Sequence, residues 1–220
     1  MRPKSTIHRF LRDNGLSLVL LLLFLSTWCG QWLAGWHEYN DEQSQHGRPT
    51  IGLAEYSWSG HFLEATGENW ESEFLQMGLF VILTAFLFQK GSPESNDPDE
   101  PEERTPARPD SPWPVRRGGL LLALYRYSLS GAFVLLFILS LLMHALGGWE
   151  DFDRDQVAAG KPAPGLGGYL VSSRFWFESF QNWQSEFLSL LCMVYLSVYL
   201  RHQGSAESKP VEAPHHQHSA

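Results

Sequence analysis

Charge is absent from long stretches of this chain, and that pattern organises it. Between Asp13 and Glu38 there is no Asp, Glu, Lys or Arg, and the centre of the stretch, 16–25, is mostly leucine. A second such stretch lies between Arg126 and Glu150, centred on Phe133–Leu139. Each exceeds the ~20 residues that an α-helix needs to cross about 30 Å of hydrocarbon at about 1.5 Å per residue. Two shorter apolar runs, Phe74 to Phe88 and Phe187 to Leu200, fall between the length of a buried helix and that of a span.

An internal duplication decides how the short runs are read. Shifted by 113 residues, the chain aligns with itself without a gap, with roughly 30 identities over about 85 positions, Leu11–Ser95 on Leu124–Ser208. Gly35-Trp36 meets Gly148-Trp149, Tyr56 meets Tyr169, and the two Gly-Ser-x-Glu-Ser exits, 91–95 and 204–208, coincide. The most specific match is Asn69-Trp70-Glu71-Ser72-Glu73-Phe74-Leu75 on Asn182-Trp183-Gln184-Ser185-Glu186-Phe187-Leu188. Each half therefore reads as one unit of long span, polar loop and short span. Because the second long run is internal, the matching first run reads as a retained span and not as a cleaved signal peptide.

The expected fold is an all-α membrane protein of four transmembrane helices, arranged as two helical-hairpin repeats. Repeat one covers 1–90 with spans near 14–36 and 71–90, and repeat two covers 119–203 with spans near 122–147 and 184–202. An amphipathic interfacial helix, starting near Trp58 or Ser172, should lead into each short span. The connecting segment 91–118 and the tail 204–220 are rich in Pro, Ser and acidic residues and read as a disordered linker and tail.

Basic residues set the orientation. The N-terminus, linker and tail hold Arg2, Lys4, Arg9, Arg12, Lys90, Arg104, Arg108, Arg116, Arg117, Arg126, Arg201 and Lys209, whereas the intra-repeat loops hold Arg48, Arg154, Lys161 and Arg174. The positive-inside rule then places both termini and the linker in the cytoplasm and makes the repeats parallel. The net charge of −8 resolves into about +2 on the cytoplasmic side and about −10 outside. An acidic chain of this kind is no nucleic-acid binder. Its expected partner is the lipid bilayer; a homo-oligomer and protein partners stay open.

Most tryptophans sit at or beyond the outer span ends, and Trp36, Trp70, Trp149 and Trp183 read as an interfacial belt. On the amphipathic segments Phe62, Thr66, Asn69 and Glu73 share one helix face, as do Phe175, Ser179, Asn182 and Glu186. This makes Glu73 and Glu186, with Asn69, Asn182, Ser72 and Ser185, the candidate polar or ion site. Facing the bundle, the two carboxylates would carry protons or bind a cation. With Asn69 and Asn182 as helix N-caps, they would instead mark the outer waterline. His144, matched by Gln31, reads as a bundle-facing or snorkelling polar contact, with a proton relay as the bolder option. The acidic clusters after the long spans read as solvated loops, the His215-His216-Gln217-His218 run as an unstructured end, and Cys29 and Cys192 as free thiols. No catalytic motif, metal site or cofactor site stands out.

The paired Asn-Trp-x-Ser-Glu-Phe-Leu motifs, the Gly-Trp pair closing each long span and the Lys90-Gly91-Ser92 exit resemble an uncharacterised family of small bacterial integral membrane proteins, a domain of unknown function. The resemblance implies a bacterial inner-membrane, multi-pass protein and brings no activity, cofactor or catalytic residue. The function expected is a non-enzymatic structural or partner-binding role. The alternative is a small transporter or channel-like module using Glu73 and Glu186.

Overall fold

A computed structural model describes residues 6–96 and 106–215. Arg2, Lys4, Arg104, the middle of the linker and the end of the histidine run lie outside the described residues. Among those described the chain is all-helical: α1 (Thr6–Asp13), α2 (Gly15–Gln45), α3 (Leu53–Tyr56), α4 (Gly60–Phe86), α5 (Trp113–Arg117), α6 (Gly119–Arg126), α7 (Ser128–Ala158), α8 (Gly165–Leu170) and α9 (Ser173–Tyr199). The bounds of α2 and α7, and those of α4 and α9, differ by 113 residues. Among the described residues α2 and α7 are the helices long and apolar enough to cross a membrane, by length and composition. The chain divides into two compact units, Met1–Leu63 and Glu64–Ala220, with the boundary inside α4.

Both long helices outrun the apolar stretches. The acidic residues after Trp36 and Trp149, expected in loops, lie on the last turns of α2 and α7. Local bonds hold those turns helical. In the first unit the Trp36 indole N–H donates to the Ile51 carbonyl at 2.8 Å, and Asn40 clamps the Ile51 backbone from both sides at 2.8 and 3.0 Å. In the second, Asp153 accepts from the Trp149 indole at 2.7 Å and from the Gly165 N–H at 3.0 Å. Each helix then stops at a glycine with positive φ, Gly47 (66°) and Gly160 (74°), a backbone conformation that other residues resist. The next N–H, of Arg48 or Lys161, caps the Gln43 or Gln156 carbonyl.

Each unit packs a small aromatic core beside this turn. In the first, Tyr39, Tyr56 and Phe62 are buried against Trp28, Trp32, Trp36 and Ile51. In the second, Ala145, Tyr169 and Phe175 are buried against Leu141, Trp149, Phe152 and Leu166. Tyr56 reaches Gly35, and Tyr169 reaches Gly148, so closely that a methyl group at either glycine would collide with the phenol oxygen.

The amphipathic segment and the apolar run that follows form one continuous helix in each case. Ser59 and Ser172 accept the Phe62 and Phe175 N–H groups at 3.2 Å, capping α4 and α9 where the expected interfacial helices begin. Asn69 and Asn182 are consequently mid-helix, nine residues past each helix start, and the N-cap reading of this pair is corrected. Within the second unit Gly67 lets α4 approach the α7 backbone at Met143 and His144. Gln76 ties α4 to α9 by donating to the Glu186 carbonyl and Ser189 Oγ, both at 2.9 Å.

The exits, expected to lack structure, hold specific bonds. Ser95 accepts the Gln89 N–H and Ser208 the His202 N–H, each at 2.9 Å, closing equivalent turns. Residues 204–215 fold back on the end of α9: Arg201 donates to the Ala213 carbonyl at 3.2 Å and Lys209 to the His215 carbonyl at 2.9 Å. Hydroxyls accepting backbone N–H groups and basic side chains donating to backbone carbonyls offset the lack of apolar surface in these segments. In the linker, α5 starts at Trp113 with Pro114 in its first turn.

Candidate functional site

Three carboxylates, Glu64, Glu68 and Glu71, recur at i, i+4 and i+7 along α4 and so share one face. Facing them, α9 presents Arg174, Glu178 and Asn182 at i, i+4 and i+8. α7 contributes His144 from one side, and α8 contributes Tyr169. The resulting cluster lies wholly within the second unit.

His144 is its centre. Its ring is fully buried, with Nδ1 2.8 Å from Glu71 Oε2, itself fully buried. The other carboxylate oxygen of Glu71 accepts the Trp183 indole N–H at 2.9 Å. On the far side, His144 Nε2 lies 3.3 Å from the Tyr169 hydroxyl, which donates to Glu178 Oε2 at 2.9 Å. Phe175 stacks on the imidazole, with ring centres 5.0 Å apart. The sequence Trp183–Glu71–His144–Tyr169–Glu178 is therefore a continuous chain of polar contacts through the core of the second unit.

Arg174 closes the outer end. Its guanidinium donates to Glu178 at 2.8 Å, to Asp155 at 2.9 Å and to Glu64 at 3.2 Å. One arginine thereby gathers acids from α4, α7 and α9. Asn182 bonds Glu68 at the next turn.

The environment separates the carboxyls. Burial pushes Glu64 up to about 7, with Arg174 opposing and Glu178 and Asp151 reinforcing. Burial also raises Glu68, against the pull of His144 and the Asn182 bond. For Glu178 burial is outweighed by the His144 imidazole 3.6 Å away and by hydrogen bonds from Arg174 and Tyr169, which hold it below the usual carboxylate range. Burial, then the Glu64 and Glu178 charges, raises the Tyr169 phenol. A cluster with one carboxyl held ionised and a neighbour poised near neutrality can take up and release a proton. No group of three or more His, Cys, Asp or Glu side chains among the described residues is arranged to hold a metal ion.

The residues singled out from sequence lie beside this cluster and only partly in it. Glu73 is exposed and Glu186 half-buried, within reach of each other's charge. Asn69 is exposed and donates to the Ala65 carbonyl at 2.7 Å, whereas Asn182 joins the cluster through Glu68. Ser72 and Ser185 bond the carbonyls of Asn69 and Asn182 on their own helices. Of the expected belt, Trp183 anchors Glu71, Trp36 and Trp149 hold their loops, and Trp70 is half-buried.

Sequence reasoning passed over Glu64, Glu68, Arg174 and Glu178. A signal was present in the duplication, at the positions where the halves differ. Glu64, Glu68 and Glu71 stand against Phe177, Gln181 and Gln184, while His144, Arg174 and Glu178 stand against Gln31, His61 and Ala65. Chemistry is concentrated in the mismatches, and each set of charges completes the other.

The family model described as Domain of unknown function (DUF6766) matches residues 7–220. The chain belongs to this family. No curated protein and no solved structure matches it. The match to DUF6766 takes in every residue of the cluster and both units, so the site lies in the family domain itself and not in an appended segment.

Proposed function

We propose that the chain is a multi-pass protein of the bacterial inner membrane, with four spans in two parallel hairpin repeats and both termini cytoplasmic. It is not an enzyme. Its buried His144 cluster is a proton-binding centre that sets how tightly α4, α7 and α9 pack, and so what the protein presents to a partner. The 113-residue recurrence of the helix bounds supports the repeat reading. α4 and α9 have the length to span, about 40 Å each at 1.5 Å per residue. Average hydropathy scores their glutamates as solvated, but Glu71 is fully buried among partners, which supports placing it in the bundle.

One observation carries the functional reading: a fully buried imidazole held between Glu71 and the Tyr169–Glu178 pair. A polar chain of this kind in a core locks its helices only while its protons are in place. The test is hydrogen–deuterium exchange of the α4 amides in proteoliposomes between pH 5 and 9. The native protein should open α4 in a pH-dependent way. His144→Gln, which installs the residue found at the matching position 31, should flatten that dependence. Equal profiles would overturn the proposal.

A second reading uses Glu73 and Glu186 for proton or cation transport, and their electrostatic proximity favours it. Flux assays on the same proteoliposomes, with and without Glu73→Gln/Glu186→Gln, separate it from the first.

A further inference from the structure

Beside the cluster, on the side away from Arg174, a cavity of about 370 Å³ is lined by Leu141, Leu142, Ala145, Phe175, Trp176 and Trp183, with Leu170 and Ser179. Its walls are almost wholly apolar, and its volume suits a small ligand or part of a larger one. One polar side chain without a partner lines it. Ser179 is 1% exposed, and its hydroxyl has no hydrogen-bond partner. Further along α9, Ser185, Ser189 and Ser197 behave differently: each donates to the carbonyl three residues back. A helical serine ordinarily satisfies itself in this way. Ser179 leaves its donor free in an apolar pocket, where an unmade bond is costly and an acceptor brought by a ligand would be rewarded.

The rim indicates where such a ligand comes from. Leu142, Leu146, Val171, Trp176 and Phe180 are exposed around the cavity, forming an apolar collar with aromatic rings at its edge. A molecule that enters must be apolar along its length and carry one hydrogen-bond acceptor. In a bilayer this is the acyl ester of a phospholipid, whose carbonyl sits at the boundary where tryptophan rings also settle.

The geometry points to a lipid-binding site: one acyl chain of a membrane phospholipid occupies the cavity, with its ester carbonyl accepting from Ser179. This rests on the membrane-spanning reading above and extends it. The occupant packs on Trp183, whose N–H holds Glu71, so the lipid buttresses one end of the proton-binding chain.

The test uses the full chain purified in detergent, with lipid binding read by native mass spectrometry. The probes are a diacyl phosphatidylglycerol and its dialkyl ether analogue, which lacks the carbonyls. The native protein should retain one diacyl lipid, and the ether analogue should bind about fivefold more weakly, as expected for one hydrogen bond. Ser179→Ala should weaken the diacyl lipid by the same factor and leave the ether lipid unchanged. Ser179→Leu, which projects bulk into the cavity, should weaken retention of both while circular dichroism stays native. Should that variant fail to fold, the alanine-by-lipid cycle still decides. Equal binding of the two lipids, or no effect of Ser179→Ala, would overturn the inference. Release of the chain from membranes by carbonate would overturn the spanning reading and this inference with it. Retention with equal lipid binding overturns this inference alone.

Discussion

Glu64 and Glu178 face the same arginine from two helices, yet their surroundings drive them apart. Glu178 collects two donors, with His144 beside it, and stays ionised, whereas Glu64 shares Arg174 with other acids and, with 8% of its side chain exposed, loses most of its hydration. The sign of the consequence follows from the direction of each shift. The Glu64 carboxyl rises from 4.5 to about 7, so the folded protein holds this proton more tightly than the unfolded chain. The stability it contributes is full below pH 4.5 and is lost as pH climbs through about 7, a change of about 3 kcal/mol. Glu178 acts in the opposite sense, and only below its ordinary value of 4.5, so the two windows do not overlap. Glu64→Gln, which keeps an oxygen for Arg174, should therefore gain thermal stability relative to the native chain as pH rises from 4.5 to 8 and match it at the acid end. Melting of both proteins across that range checks this, and parallel profiles would count against the burial argument. Glu68 keeps a residual slope of the same sign in the variant.

At the scale of helices, the approach of α4 to α7 depends on Gly67. A Cβ built there meets the His144 Cα and the Met143 carbonyl carbon, both at 2.9 Å, and backbone atoms cannot rotate away. Gly78, a few turns on, would meet the Phe133 Cβ at 3.2 Å, a contact that a slight shift relieves. Gly67→Ala should cost about 3 kcal/mol or more by prising His144 from Glu71, while Gly78→Ala should be near neutral because it also gains helix propensity. Thermal melts of the two variants, with His144 ring signals followed by NMR, check the contrast. Much at this scale was legible in the sequence. The charge-free runs marked α2 and α7, and the amphipathic segments put starts near Trp58 and Ser172, where the structure caps α4 and α9 with Ser59 and Ser172. The site was harder to read for a physical reason. Periodicity finds apolar faces, and a polar face is taken as solvated unless its partners are known. Here His144 pairs with Glu71 across 73 residues, Arg174 with Glu64 across 110 and Trp183 with Glu71 across 112. No local pattern announces contacts that long. The glutamates that were singled out, Glu73 and Glu186, owed their selection to being identical in both halves, whereas the cluster is built where the halves differ.

For the whole molecule, the parallel-repeat reading makes a claim that inverted repeats would contradict: the two intra-repeat turns, after α2 and after α7, lie on one side of the membrane, and the linker lies on the other. The distribution of basic residues, twelve against four, argues for this through the energetics of moving charge outward. The free thiols Cys29 and Cys192 are the cysteines to remove first. In a Cys29→Ser/Cys192→Ser background, Gln45→Cys and Ala159→Cys place exposed thiols at the ends of α2 and α7, and Ser111→Cys places a half-buried one just before α5. A membrane-impermeant maleimide added to intact spheroplasts should label the first two and reach the third only after lysis. Labelling of one turn but not the other would mean inverted repeats, and early labelling of Ser111→Cys would reverse the orientation. The expected pattern would put the Arg174 end of the cluster nearer the periplasm, because Arg174 lies on the first turn of α9 beside Asp155 near the end of α7. His144 would then sit inward of a gate made by one arginine and three acids, open to protons from outside the cell. The pH that the cluster answers to would accordingly be the external one, and acidifying only the outer medium of proteoliposomes should suffice to close α4 onto α7.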